Sequence, residues 1–182
     1  WMTVKSIIQS QNNKFSFSET AAFAWVPTLT SVSRQSIFSG KLPMYFPSSI
    51  YSTNSENKLW SQFWQKRGYS KYEIAYKRGL GDGNIKSILD EVIIESQTKI
   101  AGLVLDKVDK IMHGMQLGSS GMHNQIKQWC ENSFLSELIE YLQKRSFDVW
   151  ITSDHGNIEC YGLGRPNEGA TAESRGERVR VY

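Results

Sequence analysis

The sequence is poor in cysteine, with two in 182 residues, and Cys130 and Cys160 cannot build a disulfide framework. Reduced thiols and an intracellular setting are expected. Long apolar runs are missing too. No stretch approaches the roughly 20 apolar residues of a membrane helix, and no secretory leader is expected. Charge of one sign is also scarce: 21 basic against 18 acidic residues leave +3. With no Lys/Arg run, nothing in the composition shows a nucleic-acid groove. The one basic bias, Arg175, Arg178 and Arg180, alternates with Glu173 and Glu177. Internal repeats and low-complexity stretches are absent. What is present is 40% apolar and 21% charged residues. That composition excludes a disordered chain and suits one domain with a sizeable core. The first residue is Trp1, and the alternation at Val179 to Tyr182 stops midway. The chain therefore reads as a piece of a longer protein, missing its first strand and its C-terminal part.

Strand and helix signals alternate. Phe15 to Phe17 and Ala21 to Val26 read as strand, ending at Pro27. Ser31 to Ser39 reads as a short helix, with hydroxyl residues at its start and Gly40 past its end. Lys41 to Glu56 is loop-like. Asn57 to Arg67 places Leu59, Trp60, Phe63 and Trp64 at helical spacing and stops at Gly68. Tyr72 to Tyr76 reads as a strand, Asn84 to Ser96 as a helix and Ile100 to Leu105 as a strand. Ser119 to Gly121 reads as a loop, Asn124 to Lys144 as the longest helix, and Asp148 to Thr152 as a buried strand. This order predicts an α/β fold, a mostly parallel sheet flanked by helices, over a single domain 1–182. Trp25, Trp60, Trp64, Trp129 and Trp150 are expected in the core. Cys130 is expected on the buried face of its helix, and inert.

Ligand-handling residues gather beyond the carboxyl ends of parallel strands, and three polar clusters fall at such places. In Ser153-Asp154-His155-Gly156, a carboxylate and an imidazole suit a divalent metal, while Asp and Gly also suit an ordinary turn. In Asp106 to His113, Asp109 and His113 are four apart and share a helix face. They could form a two-ligand arm or a solvated face. In Pro27 to Gln35, Thr30 stands at a helix start, where free N–H groups bind phosphate and stabilise an alkoxide. Simple capping by Thr30 or Ser31 is the plainer alternative.

Together, in this order, the clusters resemble the alkaline phosphatase superfamily, and within it the PglZ-domain branch. The residues that carry the resemblance are Pro27-Thr28-Leu29-Thr30 with Gly40, Asp109 with His113, Ser153 to Gly156, and the closing Glu173 to Tyr182. The resemblance implies a two-metal phosphoester hydrolase with Thr30 as nucleophile. Thr30, Asp154 and His155 would hold one divalent ion, and Asp109 and His113 the second, both of zinc type. Arg34, one turn after Thr30, would brace a phosphate oxygen, or else lie as a surface arginine on its helix. The implied setting is the bacterial cytoplasm, in phage defence of the BREX type or in signalling. The implied partners are phosphoesters, including nucleotides and oligonucleotides, and defence-complex proteins. A non-catalytic scaffold and a phosphomutase are the alternatives. The chain departs from the pattern twice: no Asp precedes Thr30 and no His follows His155. Each metal is thereby one ligand short. Glu168, Glu173 or a residue beyond Tyr182 would have to stand in for the missing histidine. Asp106 is an alternative to Asp109, and His123 is expected on the surface.

Overall fold

The computed structural model describes residues 1–26, 28–114 and 118–156, with the backbone of 173–175 and 179–181. In chain order the elements are α1 (Met2–Gln11), α2 (Thr30–Ser39), α3 (Glu56–Gln65), β1 (Ile74–Leu80), α4 (Ile85–Asp90), β2 (Ile100–Leu105), α5 (Lys107–His113), α6 (Gly118–Glu131), α7 (Phe134–Lys144), β3 (Glu173–Arg175) and β4 (Val179–Val181). β1 and β2 are parallel, with Ile74 beside Ile100 and Leu80 beside Leu105. β3 and β4 form an antiparallel pair. The fold is α/β, with helices on both faces of the parallel pair.

The two faces are built differently. On one, Leu80, Ile85, Leu89 and Ile111 join Ile8 of α1 and the stripe Ile126, Trp129, Phe134, Leu138, Ile139 and Leu142 in a single apolar cluster. On the other, α2 and α3 press an aromatic layer onto the strands. Trp60 Nε1 donates to the Ala75 carbonyl at 2.9 Å, and Phe38 meets both Trp60 and Tyr76 edge to face. A Cβ at Gly102 would stand 2.8 Å from Trp60 Cε2, so the missing side chain lets the indole reach the strand.

β2 occupies the expected residues, and α2 differs by one residue and ends in left-handed Gly40. β1 begins at Ile74, after a one-turn helix over Lys71–Glu73 whose Ser70 and Glu73 form a capping box. α4 is shorter than expected, ending at Asp90. Three expectations need correction. The long helix is two, because Ser133 adopts φ 64° between α6 and α7 and its N–H bonds to Cys130 O. Ser119 to Gly121 lies inside α6 rather than in a loop. The stretches Phe15–Phe17, Ala21–Val26 and Asp148–Thr152 are not strands, and none of them joins a ladder among the described residues. A strand exists only through its neighbour's hydrogen bonds, and neither β1 nor β2 pairs with these stretches. Trp150 is accordingly 91% exposed and Trp25 41%, whereas Trp129 is buried as expected and Trp60 and Trp64 are half-buried. Among the described residues no helix is long and apolar enough to cross a membrane.

Candidate active site

Thr30 is the first residue of α2, and no side chain caps that helix. Its hydroxyl does not turn back to the helix N–H groups, as a capping residue would. Thr30 Oγ1 instead lies 2.9 Å from Nε2 of His155, 125 residues away. Ser31 Oγ is also spent elsewhere, donating to Ile50 O at 2.7 Å. Val32 N and Ser33 N both bond to Leu29 O, leaving the N–H groups of Thr30 and Ser31 without a partner among the described residues. The positive end of the helix dipole thus lies beside the hydroxyl.

The imidazole's tautomer follows from its surroundings. His155 Nδ1 stands 2.9 Å from the Gly156 carbonyl, which can only accept. Nδ1 therefore carries the proton, and Nε2 presents its lone pair to the Thr30 hydroxyl. Asp154 Oδ1 accepts from its neighbour's backbone N–H at 3.1 Å, and Asp154 Oδ2 approaches Nε2 at 3.5 Å. Ser153 Oγ donates to His155 O at 2.5 Å, closing the turn. Turn and ligand readings of this motif are therefore compatible: the turn points the imidazole at Thr30.

A hydroxyl, an imidazole nitrogen and a carboxylate oxygen are the donor set of a divalent cation of zinc type. Ligand atoms about 2.0–2.1 Å from a tetrahedral zinc lie about 3.3 Å from each other; the Nε2–Asp154 Oδ2 separation of 3.5 Å is close to that, while the 2.9 Å between Thr30 Oγ1 and Nε2 is hydrogen-bond length. The Nδ1–H bonded to a carbonyl is the usual support of a ligating histidine. The second expected arm is less complete. His113 Nε2 and Asp109 Oδ1 are 3.5 Å apart on one face of α5, as four-residue spacing requires, but their side chains are 75% and 54% exposed. Among the described residues no three His, Cys, Asp or Glu side chains are grouped to hold a metal ion. Cys160 and Glu168 lie outside the described residues, as does the side chain of Glu173. His123 is exposed, as expected, though on α6.

Arg34 is not a surface arginine. Its Nη2 donates to Glu56 Oε2 at 2.6 Å, and its Nη1 faces Asp106 Oδ1 at 3.5 Å. Tyr76 OH donates to the same Glu56 oxygen at 2.6 Å. Glu56 is fully buried, and its second oxygen has no partner among the described residues. Burial pulls the Arg34 pKa down, but the hydrogen bond and charge of Glu56 carry it net upward. Burial and the bond to Glu56 push the Tyr76 phenol well above its ordinary range. This knot ties α2, α3, β1 and the β2–α5 corner together, one turn along α2 from Thr30. Nothing local in the sequence singles out Glu56 or Tyr76. A glutamate in a helix's first turn looks like a dipole-favoured surface acid, and a tyrosine in a strand looks like packing.

The family model described as the BREX system PglZ alkaline phosphatase-like domain matches residues 1–182. No curated protein and no solved structure matches the chain. Since that match runs from the first residue to the last, the chain belongs to the PglZ family of BREX-system alkaline phosphatase-like domains.

Proposed function

We propose that this phosphatase-like, defence-related domain is the catalytic region of a metal-dependent phosphodiesterase or phosphatase whose nucleophile is Thr30. The observation that supports this reading is the 2.9 Å approach of Thr30 Oγ1 to His155 Nε2 at an uncapped helix start. Thr30 Oγ1 gives up its proton as it attacks phosphorus in line, the ester P–O bond breaks, and the leaving oxygen takes up a proton to depart as the alcohol. Water then releases Thr30 and the phosphate in a second displacement. The N–H groups at the start of α2 favour the developing negative charge. Arg34 Nη1, held loosely by Asp106, is the cationic edge turned to a phosphate oxygen. Thr30, Asp154 and His155 would hold one zinc-type ion, and Asp109 and His113 a second. Bound there, the ions would neutralise the non-bridging oxygens and lower the pKa of the hydroxyl. Substrates of this class are phosphoesters, including nucleotides and oligonucleotides.

The test is Thr30→Ala in the full chain with bis(p-nitrophenyl) phosphate. Turnover should vanish while the melting temperature holds. Wild-type turnover by the variant would remove Thr30 as nucleophile. One observation favours a second reading, a non-catalytic scaffold within a defence complex: no three-ligand metal cluster exists among the described residues. Metal content separates the two, about two ions per chain for the enzyme and none for the scaffold.

A further inference from the structure

At the end of α2 remote from Thr30, α2 and α3 part around a cleft of about 160 Å³. Its lining includes Lys41, Lys66, Arg67, Gln62 and Phe63 and contains no Asp or Glu. Among the described residues none of the three cations has a carboxylate partner, whereas Arg34, Lys107 and Arg145 are each paired. Both helices end here, and two helix C-termini contribute about −0.5 charge each. Three cations against that leave about +2, so attraction for an anion wins.

The cleft is also held in shape. The Arg67 guanidinium lies 3.5 Å above the Phe63 ring, and its Nη1 donates to Phe63 O at 3.0 Å. That uses one of five N–H donors and leaves four. Lys41 N is fixed to Ser39 Oγ at 3.1 Å. A Cβ at Gly40, which adopts φ 60°, would collide with the Phe63 ring, so the chain can turn here only without one. Ten residues make α2 about 15 Å long. That is the length of about four nucleotides at a 3.4 Å rise per strand residue.

We propose that this cleft is an anion subsite that takes a backbone phosphate of an extended phosphodiester, one helix length from the reactive end. The part about the reactive end rests on the reading of Thr30 above. The probe is fluorescein-labelled hexathymidylate, titrated into the full chain by anisotropy at several salt concentrations. Lys41→Gln/Lys66→Gln should bind it at least about tenfold more weakly. Its slope of log K against log salt should be shallower by about 0.7, the one phosphate contact that the cleft supplies. Turnover of bis(p-nitrophenyl) phosphate, too short to reach the cleft, should not change, and the two proteins should melt alike. Equal affinity and slope in variant and wild type, or no binding by wild type, overturns the subsite. Weaker binding by the variant alongside a wild type that turns over no ester keeps the subsite and removes Thr30 as its reactive end.

Discussion

Replacing Glu56 by Leu should destabilise the protein by about 3 kcal/mol. Glu56 is fully buried and receives two hydrogen bonds of 2.6 Å, from Arg34 and from Tyr76. Removing one member of a buried ion pair costs about 3–5 kcal/mol, because the other charge stays buried without compensation. Here Asp106 stands 3.5 Å from Nη1 and is 29% exposed, so it retains part of the attraction and holds the cost near the lower figure. The Tyr76 hydroxyl loses its acceptor in the same step, which prevents the cost from falling much further. At about 2–4 °C per kcal/mol for a chain of this size, the melting temperature should drop by about 6–12 °C. The double variant Arg34→Met/Glu56→Leu should recover much of the loss, because replacing both partners by apolar groups of similar volume is often neutral. Urea unfolding of the four proteins in the cycle measures the coupling, expected at about 2 kcal/mol. A Glu56→Leu cost below about 1 kcal/mol, or costs that simply add, would refute the account of the knot.

Other expectations follow from burial. Asp109→Ala and His113→Ala should each change stability by less than about 0.5 kcal/mol, since they remove an exposed i,i+4 pair. Any large loss of turnover in either is then chemical, and chemical denaturation beside an ester assay checks both. Burial pushes the Cys130 thiol up to about 11. The folded state therefore favours the protonated form, so its contribution is complete below the unfolded thiol's value, about 8.5, and is lost as pH rises through the folded one. Stability should fall between about pH 9 and 11 with a component that Cys130→Ala removes, measured by urea midpoints across that range. An unchanged slope in the variant would show that the thiol is not shielded.

The parts of the fold that sequence revealed are those whose signal is local. β2 is an apolar run of strand length, and α2 ends at a glycine that only a left-handed turn requires. The stretches Ala21–Val26 and Asp148–Thr152 carry strand-like composition as well, yet a strand is defined by hydrogen bonds to a neighbour. Their tryptophans, Trp25 and Trp150, are exposed, and among the described residues neither stretch has a sheet neighbour. The α6–α7 break was hidden because the apolar stripe continues through Asn132 and Ser133, and only the left-handed backbone at Ser133 interrupts it. In the site, Thr30 and His155 were legible from their positions after expected strands, although the strands leading to them lack ladders. Glu56 and Tyr76 were not, because burying a carboxylate depends on a cation from another helix, which no local pattern records.

The tautomer of His155 sets the last question the site poses. With Nδ1–H given to Gly156 O, Nε2 has one lone pair, and Thr30 Oγ1 stands before it. That lone pair can take the Thr30 proton or bind a cation, but not both at once. The two roles predict different behaviour of His155→Ala. If Nε2 is a ligand, metal content falls by about one ion per chain, and added imidazole restores content and turnover together. If it is only a base, content stays at the wild-type level and imidazole restores turnover alone. Asp154→Ala supplies the comparison, since the Asp154 carboxylate stands 3.5 Å from Nε2 and accepts only a backbone N–H of its neighbour. A ligand carboxylate should lower metal content when removed, as His155 does. A carboxylate that merely orients the imidazole should leave content intact while lowering turnover. Unchanged content in both variants strikes Asp154 and His155 from the ligand set. It leaves a hydroxyl and its imidazole base at the start of α2, without a cation between them.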